Sequence, residues 1–380
     1  MTSKSAPVRI LLAGGGTSGH VSPLLATADA LRRRASEPEL VVLGTAVGLE
    51  ADLVPAAGLE LVTVPKVPFP RRPNTAALKF PGRLVGTVKT VRRLLTDRRI
   101  DAVVGFGGYV CPPAYIAARI CGIPVVLHES NVRPGLANRL GAKSARHVTV
   151  AFDGTPLPDA VTIGMPMRRE ITQLGAGDTG EDQSTRVALR AQACAEFGLD
   201  PQRPVLLVTG GSLGAKRLND AVAESARRII DSGVQILHIT GRGKLGATER
   251  PGYRAVEFIS QMERAYAVAD LAITRSGAGT VSELAAVGLP AILVPLPIGN
   301  GEQALNGRHL VEAGGALMVP DAELTAQWLL DHALVILHDP ARLETMKSAV
   351  AKACPRDAAE RLADLVLEAA HSHAVSAGGK

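Results

Sequence analysis

The chain has 380 residues, a length that predicts two domains. Hydrophobic residues make up 46% but aromatic residues only 3%, so the interior is expected to consist of Ala, Val, Leu and Ile, as in α/β proteins with buried parallel strands. The 42 basic and 36 acidic side chains leave a net charge of +6, which permits phosphates, nucleic acid or acidic lipid as partners without choosing among them.

The cysteines and the first residues indicate the compartment. Cys111, Cys121, Cys194 and Cys354 form no CxxC or Cys/His pattern, so they predict buried thiols in a reducing environment and no structural zinc. Residues 1–10 lack the apolar core of a signal peptide. The sequence therefore predicts a cytoplasmic protein.

The first half alternates short apolar runs with helical segments. Residues 8–13 predict a strand that enters the turn GGGTSGH, and residues 21–31 predict the helix that follows. Residues 102–113 predict another strand that runs into glycines and a helix start. Further strands are predicted at 40–43, 61–64, 124–127 and 147–150. Strands that alternate with helices predict a parallel sheet with right-handed crossovers.

The second half repeats this order. Residues 204–209 predict a strand before the turn GGSLGAKRLN, and a helix follows to residue 230. Residues 271–283 repeat the pattern of residues 102–113. Further strands are predicted at 235–240 and 291–294. Two repeated patterns in the same order predict two Rossmann-like domains.

The domain boundary is predicted between residues 168 and 169, which gives domains of residues 7–168 and 169–354. Residues 174–186 are rich in Gly, Asp, Ser and Thr and predict a flexible, solvated loop. A helix predicted over residues 356–371 could pack on either domain. Residues 372–380 predict a disordered tail.

The first glycine turn has three interpretations. Gly14, Gly16 and Gly19 satisfy G-x-G-x-x-G, which is typical of dinucleotide sites, but the second strand ends in LGT and lacks the acidic residue that would bind a ribose. A purely structural turn is the second interpretation. The third is an anion or sugar site, because four glycine turns follow parallel strands, whose carboxyl ends are where open α/β sheets bind ligands.

The second glycine turn, residues 210–219, is not a Walker A loop because Gly-Lys-Ser/Thr is absent. The Asp-x-Asp pair expected of a metal-assisted transferase is absent as well. We therefore expect neither a metal nor a cofactor. The charge of a leaving diphosphate would then fall on a helix N-terminus and on backbone amides.

Six motifs occur in order over residues 14–306: GGGTSGHVSP, GFGGYVCPP, HESNVRPGLANR, GGSLGAKRLN, RSGAGTVSE and GNGEQALN. Together they resemble the MurG family of peptidoglycan N-acetylglucosaminyltransferases. The resemblance implies an α/β protein of GT-B type, with two Rossmann-like domains whose parallel sheets face across a cleft. It implies inverting transfer of N-acetylglucosamine from UDP-N-acetylglucosamine to the 4-hydroxyl of undecaprenyl-diphosphate-linked N-acetylmuramyl-pentapeptide.

The resemblance also implies the location and the partners. The family acts at the cytoplasmic face of the cell membrane as a peripheral protein, where other cell-wall synthesis proteins are possible partners. The segment 66–83 (KVPFPRRPNTAALKFPGR) mixes aromatic and aliphatic side chains with basic ones, which suits shallow insertion beside anionic headgroups. A proline-rich surface loop is the alternative. No aromatic-rich basic motif indicates nucleic-acid binding.

By the same resemblance, the amino-terminal half holds the acceptor. His20 is the predicted catalytic base, with Glu129 as the alternative and His128 as a rival histidine. The other residues implied near the substrates are Thr17, Ser18 and Gly19 at the sugar-diphosphate of UDP-N-acetylglucosamine, Asn131 at one of its sugar hydroxyls, and Gly107, Gly108 and Tyr109 at the acceptor diphosphate. His20 also fits a helix cap, and Asn131 a turn residue.

The carboxy-terminal half is implied to bind the UDP-sugar. Arg168 and Ser212 would contact the diphosphate, and Glu283 would accept from the ribose hydroxyls. The remaining implied contacts are Phe258, Ile259 and Met262 at the uracil, Ala278, Gly279 and Thr280 at a helix start, and Gln303 and Asn306 at the N-acetylglucosamine. Glu283 also fits an ordinary first-turn helix residue, and Arg168 a surface arginine.

Three positions depart from the family pattern. Met165 stands where many relatives have asparagine, Leu213 where glutamine is frequent, and Glu302 where many have glutamine. Glu302 would place a carboxylate near the donor sugar. Other functions fit the same scaffold, since a fold does not fix a function: another lipid glycosyltransferase, a UDP-N-acetylglucosamine 2-epimerase or a non-catalytic nucleotide-sugar-binding protein.

Overall fold

The computed structural model describes residues 7–70, 75–175, 180–211, 215–245, 250–297 and 301–378. The chain divides into two compact units. The first unit comprises residues 1–168 and 356–380, and the second comprises residues 169–355. Each unit is built on one parallel sheet.

Strands and helices alternate along the chain. The strands are β1 (Arg9–Gly14), β2 (Glu39–Gly44), β3 (Glu60–Thr63), β4 (Ala102–Gly107), β5 (Val125–Glu129), β6 (His147–Val150), β7 (Ala160–Thr162), β8 (Val205–Thr209), β9 (Gln235–Ile239), β10 (Tyr253–Val256), β11 (Leu271–Thr274), β12 (Ala291–Leu293) and β13 (Ala316–Met318). The helices are α1 (Ser18–Arg34), α2 (Glu50–Ala56), α3 (Thr75–Asp97), α4 (Cys111–Cys121), α5 (Leu136–Gly141), α6 (Arg169–Leu174), α7 (Gly180–Phe197), α8 (Lys216–Asp231), α9 (Met262–Val268), α10 (Ala278–Val287), α11 (Glu302–Glu312), α12 (Ala326–Leu329), α13 (Val335–Leu337), α14 (Pro340–Ala351) and α15 (Ala358–Gly378).

The first unit contains a seven-stranded sheet in the order β3-β2-β1-β4-β5-β6-β7, and all its neighbouring strands are parallel. The central strands are buried on both faces, which is why they consist of uninterrupted apolar runs. The strand order reverses between β1 and β4. The carboxyl ends of these two strands therefore flank the switch point at which open α/β sheets bind ligands.

The C-terminal helix packs on the first unit, which answers the question that the sequence left open. Leu362 and Val366 of α15 are fully buried in a core cluster that also contains Leu24 and Leu31 of α1. Ion pairs join the same two helices, including Arg33 to Glu360 at 2.8 Å. Burial of the apolar face of α15 stabilises this position far more than the exposed ion pairs do.

The second unit contains a six-stranded sheet in the order β10-β9-β8-β11-β12-β13, again with parallel neighbours. Its strand order reverses between β8 and β11, as it does between β1 and β4 in the first unit. Both units are thus doubly wound sheets, and the prediction of two Rossmann-like parallel-sheet units is confirmed. None of the helices in the described ranges is long and apolar enough to cross a membrane.

Two predicted irregular segments are wrong. The loop predicted over residues 174–186 is helical from residue 180 because α7 begins there, while residues 176–179 lie outside the described residues. The tail predicted over residues 372–380 is helical to residue 378 as part of α15, and residues 379–380 lie outside the described residues. In both cases buried residues anchor the helix elsewhere, and extending an existing helix costs little even through polar residues.

Candidate active site

The turn after β1 places a helix N-terminus at the switch point of the first sheet. Gly16 has a φ of +90°, and α1 begins at Ser18 with Thr17 as its N-cap. Thr17 makes no side-chain cap bond within the described structure. The first-turn amides of Ser18 and Gly19 therefore form the kind of electropositive helix end that favours an anion.

His20 lies in the first turn of α1 and is half-buried. Its Nδ1 lies 3.0 Å from the carbonyl oxygen of Gly15 and 3.4 Å from the hydroxyl of Thr17. A carbonyl oxygen only accepts hydrogen bonds, so Nδ1 carries the ring proton and donates a hydrogen bond to the carbonyl of Gly15. Nε2 is then the unprotonated ring nitrogen, the one that can accept a proton.

The glycines at the end of β4 and just after it lie directly against this histidine. Gly107 and Gly108 have φ values of +107° and +89°. A Cβ at Gly107 would lie 2.9 Å from Nε2 of His20, and one at Gly108 would lie 2.7 Å from the carbonyl oxygen of Gly15. Only glycine permits both the conformation and the approach. The structure thus brings the predicted acceptor-diphosphate glycines beside the predicted base.

Tyr109 follows these glycines and is 39% exposed. The ammonium nitrogen of Lys66 lies 4.8 Å from the centroid of its ring, a cation–π geometry. The backbone carbonyl of Lys66 accepts from Nη2 of Arg83 at 2.8 Å. This contact holds the loop after β3 against α3, and the cation–π contact places the Lys66 ammonium beside the turn after β4.

A hydrogen bond from the turn after β5 replaces one that a proline removes from α1. Pro23 lies inside α1 and has no backbone N–H to donate to the carbonyl oxygen of Gly19 four residues earlier. The hydroxyl of Ser130 donates to that oxygen instead, at 3.0 Å. Asn131 follows at once and is half-buried. This bond places the HESN turn beside the N-terminus of α1.

Glu129, the alternative base, is 2% exposed at the end of β5. Oε1 accepts from the backbone N–H of Asn131 at 2.9 Å, and Oε2 accepts from the N–H of Gly135 at 3.0 Å and from Nδ2 of Asn138 at 2.9 Å. Both carboxylate oxygens therefore hold the turn that leads to α5. Because these acceptor positions are occupied internally, the geometry favours His20 over Glu129 as the base.

His128 is fully buried on β5. The hydroxyl of Thr149 donates to the carbonyl of Leu127 at 2.9 Å and lies 3.1 Å from Nδ1 of His128, so Nδ1 donates to that hydroxyl. Burial lowers the pKa of His128 to about 3, and its Nε2 has no partner in the described part of the chain. A neutral, enclosed imidazole cannot contact a substrate, so His128 does not compete with His20.

Sequence analysis missed Glu50, the carboxylate that holds the turn after β1. Glu50 is fully buried; it accepts from the N–H of Gly16 at 2.8 Å, and from the N–H and hydroxyl of Thr45 at 2.9 Å and 2.7 Å. Burial by itself raises the pKa of Glu50, but these hydrogen bonds outweigh it, and the pKa is lowered from its ordinary value. An acidic residue in the first turn of a helix gives no distinct sequence signal, because that position is ordinarily favoured by the helix dipole.

In the second unit, α10 begins at the carboxyl end of β11. Its N-cap is Gly277, which provides no side chain to cap the amides of Ala278, Gly279 and Thr280. A Cβ at Gly279 would meet no atom within 4 Å in the described structure. The N-terminus of α10 therefore combines open space with unoccupied first-turn amides, the features of an anion site.

Glu283 lies one turn further along α10 and is half-buried. Its Oε2 accepts from the hydroxyl of Tyr266 at 2.7 Å, and Tyr266 is buried on α9. This bond fixes the orientation of the carboxylate. Tyr266 carries no sequence signal, since nothing in the spacing of α9 and α10 places these two side chains together.

The loop between β10 and α9 exposes an aromatic ring. Phe258 is 60% exposed, and the guanidinium carbon of Arg242 lies 5.0 Å from its ring centroid. Ile259 and Met262 are half-buried beside it in sequence. An exposed aromatic face flanked by apolar side chains and a cation is suited to stacking against a planar base.

The remaining predicted residues differ in accessibility. Oε1 of Gln303 accepts from the N–H of Leu296 at 2.9 Å, which orients its amide, whereas Asn306 is fully buried on α11. Arg168 is exposed at the end of the first unit. Ser212 lies outside the described residues. Among the described side chains, no group of three or more His, Cys, Asp or Glu could hold a metal ion.

A cavity of about 680 Å³ opens beside the N-terminus of α8, and its lining includes Arg217, Lys244, Arg275 and Asp321. Nη1 of Arg275 lies 2.6 Å from Oδ1 of Asp321, so charges of opposite sign meet there. Among the described residues, the lining of the cavity includes none of those predicted to bind the UDP-sugar. The open amides and the fixed carboxylate of α10 suit a nucleoside diphosphate better than the paired charges of the cavity do.

Two doubly wound units, one with a histidine at its switch point and the other with an open helix N-terminus, have the architecture of the GT-B class of glycosyltransferases. Comparison with known proteins gives the family. Residues 10–150 match the glycosyltransferase family 28 N-terminal domain, and residues 205–362 match the glycosyltransferase family 28 C-terminal domain. The chain belongs to glycosyltransferase family 28 and, within it, to the MurG family.

Individual relatives agree with this assignment. The chain is 51% identical over 371 residues to a protein of Paenarthrobacter aurescens named UDP-N-acetylglucosamine--N-acetylmuramyl-(pentapeptide) pyrophosphoryl-undecaprenol N-acetylglucosamine transferase, covering 96% of this chain and 97% of the relative. It is 53% identical to a protein of the same name from Clavibacter michiganensis, covering 94% and 96%. The crystal structure of Acinetobacter baumannii MurG superposes with a TM-score of 0.74 at 28% identity, covering 95% and 100%.

Proposed function

We propose that this protein transfers N-acetylglucosamine from UDP-N-acetylglucosamine to undecaprenyl-diphosphate-linked N-acetylmuramyl-pentapeptide, the step from lipid I to lipid II in peptidoglycan synthesis. Relatives named for this reaction are 51% to 53% identical to it over nearly its whole length. The observation that carries the proposal is His20, because Nδ1 is held by Gly15 and Nε2 remains as a base beside Gly107.

The proposed reaction is one inverting displacement. The oxygen of the acceptor's 4-hydroxyl forms a bond to the anomeric carbon as the bond from that carbon to the UDP oxygen breaks, and a β linkage results. The hydroxyl proton passes to Nε2 of His20, since a neutral hydroxyl is a poor nucleophile. UDP leaves with the electron pair, and its charge is stabilised by the amides of Ala278, Gly279 and Thr280.

In the first unit, the proposal gives binding roles to two glycine turns. The amides of Ser18 and Gly19, with Thr17, would bind the sugar-diphosphate of UDP-N-acetylglucosamine, and Asn131 would bond a sugar hydroxyl. Gly107, Gly108 and Tyr109 would contact the diphosphate of the lipid acceptor. Support comes from the adjacency of these turns to His20.

On the donor side, Glu283 would accept from the ribose hydroxyls while Tyr266 holds its carboxylate in place. Phe258, Ile259 and Met262 would enclose the uracil. The amide nitrogen of Gln303 would donate to the N-acetylglucosamine, because its oxygen is already bonded to Leu296. Arg168, Ser212 and Asn306 stay predicted contacts of the diphosphate and sugar. No metal or other cofactor takes part in the proposed mechanism.

Transfer of radiolabel from UDP-N-acetylglucosamine to a muramyl-pentapeptide polyprenyl diphosphate tests the proposed function. We expect labelled lipid only when both substrates and the enzyme are present. Conversion of UDP-N-acetylglucosamine in the absence of acceptor would instead indicate an epimerase. Binding of the nucleotide sugar with no turnover of either kind would indicate a non-catalytic protein.

Replacing Glu283 with glutamine is expected to raise the KM for UDP-N-acetylglucosamine by about 10- to 100-fold, because a hydrogen bond to a charged group contributes roughly 1.5–3 kcal/mol. The KM for the lipid acceptor should not change. Tyr266→Phe should give a smaller increase, since it frees the carboxylate without removing it. Glu312→Gln, at an exposed carboxylate of the same unit, is the control. A donor KM for Glu283→Gln within about twofold of wild type would contradict the ribose role.

We also propose that the first unit docks on the cytoplasmic face of the cell membrane as a peripheral protein. Leu78 is 83% exposed on α3, and the rings of Phe69 and Phe80 lie 5.2 Å apart. α3 packs on α4, and α4 packs on α5. These helices add four exposed aliphatic side chains: Ile116, Ile120, Leu136 and Leu140. Arg71 and Arg72 of the predicted membrane segment lie outside the described residues.

Charge supports the same surface. Lys79 is next to Phe80 in the sequence, and Lys66 and Arg83 are three residues from Phe69 and Phe80. Basic side chains near apolar ones that insert into a membrane favour anionic lipid. Docking here would bring the enzyme to its lipid-linked acceptor and to cell-wall synthesis proteins at the same membrane.

Co-sedimentation with vesicles tests the docking surface. We expect binding to vesicles rich in anionic phospholipid and little binding to neutral ones, and Leu78→Glu should reduce the bound fraction severalfold by placing a charge where an apolar chain inserts. Val335→Glu is the matched control, because Val335 is also exposed but lies in the second unit. Equal binding to neutral and anionic vesicles would rule out this form of docking.

A further inference from the structure

One peptide group of the turn after β1 is held on both sides. The carbonyl of Gly15 and the N–H of Gly16 belong to the same planar peptide unit. Its N–H donates to Oε2 of Glu50 at 2.8 Å, and its carbonyl accepts from Nδ1 of His20 at 3.0 Å. A single rigid plane therefore connects a buried carboxylate to the predicted base.

The pocket around the Glu50 carboxylate is shaped by glycines from two turns. A side chain at Gly15, Gly44 or Gly48 would overlap the side chain of Glu50. Both the hydroxyl and the N–H of Thr45 donate to Oε1, which completes the hydrogen bonding of the carboxylate. Because donors hold both carboxylate oxygens and three glycines leave the space that the side chain occupies, the carboxylate of Glu50 is held in one orientation and in turn holds the peptide plane.

We propose that Glu50 is a positioning residue for His20: its carboxylate fixes the Gly15–Gly16 peptide, whose carbonyl holds Nδ1–H and presents Nε2 to the acceptor hydroxyl. This inference rests on the proposed role of His20 as the base. A carboxylate that accepts from an amide N–H polarises that amide and makes its carbonyl a better acceptor. The negative charge beyond the peptide also stabilises the imidazolium that forms when Nε2 takes the proton.

The lowered pKa of Glu50 means that the carboxylate is ionised at neutral pH, as this role requires. In glutamine, one carboxylate oxygen becomes an NH₂ group, which would face the N–H of Gly16 or the donors of Thr45. In the first orientation the peptide plane would lose one of its two anchors, and in the second the N–H of Thr45 would face another donor. In both orientations the negative charge beyond the peptide is lost, while the shape of the side chain is kept.

Glu50→Gln is therefore expected to lower kcat about 10- to 100-fold, as small misplacements of a catalytic group do, while both KM values change little. A residue that only stabilises the fold would not give this division between kcat and KM. Asp101→Asn is the matched control: Asp101 also accepts from a backbone N–H, that of Arg9 at 2.7 Å, but at the amino end of β1. It should lower stability and leave kcat unchanged.

A double-mutant cycle gives the decisive readout. If Glu50 acts through His20, then Glu50→Gln should lower kcat in the wild-type background and have almost no further effect in His20→Ala. An equal loss in both backgrounds, or a kcat of Glu50→Gln within about twofold of wild type, would overturn the inference. Should Glu50→Gln fail to fold, Thr45→Val removes one donor to the same carboxylate and is compared in the same two backgrounds. If His20→Ala itself kept full activity, the base assignment would fail instead.

Discussion

Replacing His20 with alanine is expected to lower kcat by about 10²- to 10⁴-fold, the usual contribution of a positioned general base. The reason is that Nε2 is the ring nitrogen left to accept the proton, because the other nitrogen is bonded to Gly15. The KM for UDP-N-acetylglucosamine should change little, because His20 itself is not among the proposed contacts of the donor. Steady-state transfer to the lipid acceptor, with each substrate varied in turn, measures these quantities.

The control for this substitution is His371→Ala, since His371 is an exposed histidine of the same unit. Its kinetics should match those of the wild type. If His20→Ala instead kept kcat within about threefold of wild type and raised only the acceptor KM, His20 would be a binding residue and not the base. The proposed fold and substrates would be unaffected by that result.

The two sheets could be predicted from the sequence because their central strands are buried on both faces. β1, β4, β5 and β8 are runs of apolar residues that end at glycine or polar turns, and such runs are recognisable without an alignment. The strands that were not predicted are short edge strands, namely β7, β10 and β13. They are three or four residues long and partly exposed, so they give no clear apolar run.

The candidate site could be predicted only where a motif marks it. His20 and Gly107 lie in glycine turns that local sequence identifies, although their contact depends on the pairing of β1 with β4. Glu50 and Tyr266 could not be predicted, because each acts through a partner that tertiary packing brings near. The bond from Ser130 to Gly19 is similar: Pro23 is visible in the sequence, but the donor that compensates for it is 107 residues away (130 minus 23).

Lowering the pH from 7.5 to 5 is expected to destabilise each unit through one buried histidine. Burial lowers the pKa of His128 in the first unit to about 3 and that of His238 in the second to about 4. In His238, Nε2 lies 3.0 Å from Oδ1 of Asn219, so it donates, and Nδ1 accepts from the hydroxyl of Tyr253 at 2.8 Å. Both rings are therefore neutral in the folded protein.

The sign follows from the unfolded chain, in which histidine titrates near 6.5. Below that pH the unfolded state binds a proton that the folded state does not, so the free energy of unfolding falls by about 1.4 kcal/mol per pH unit for each histidine. The loss of stability begins near pH 6.5 and is complete only near the pKa of the folded histidine. By then it amounts to roughly 3 to 5 kcal/mol in each of the two structural units. Above pH 6.5 the two histidines are neutral in both the folded and the unfolded protein, so they contribute no pH dependence to the stability.

Hydrogen exchange of the full-length protein, corrected for the intrinsic effect of pH on exchange, measures the change in the free energy of unfolding with pH in each sheet separately. Amides of β5 report on the first unit and amides of β9 on the second. His128→Asn should flatten the pH dependence in β5 alone, and His238→Gln should flatten it in β9 alone, so each variant is the control for the other. Carboxylates titrate largely below this pH range, so they should contribute little to the effect. An unchanged pH dependence in β5 of His128→Asn would nevertheless show that groups other than His128 bind the protons on unfolding.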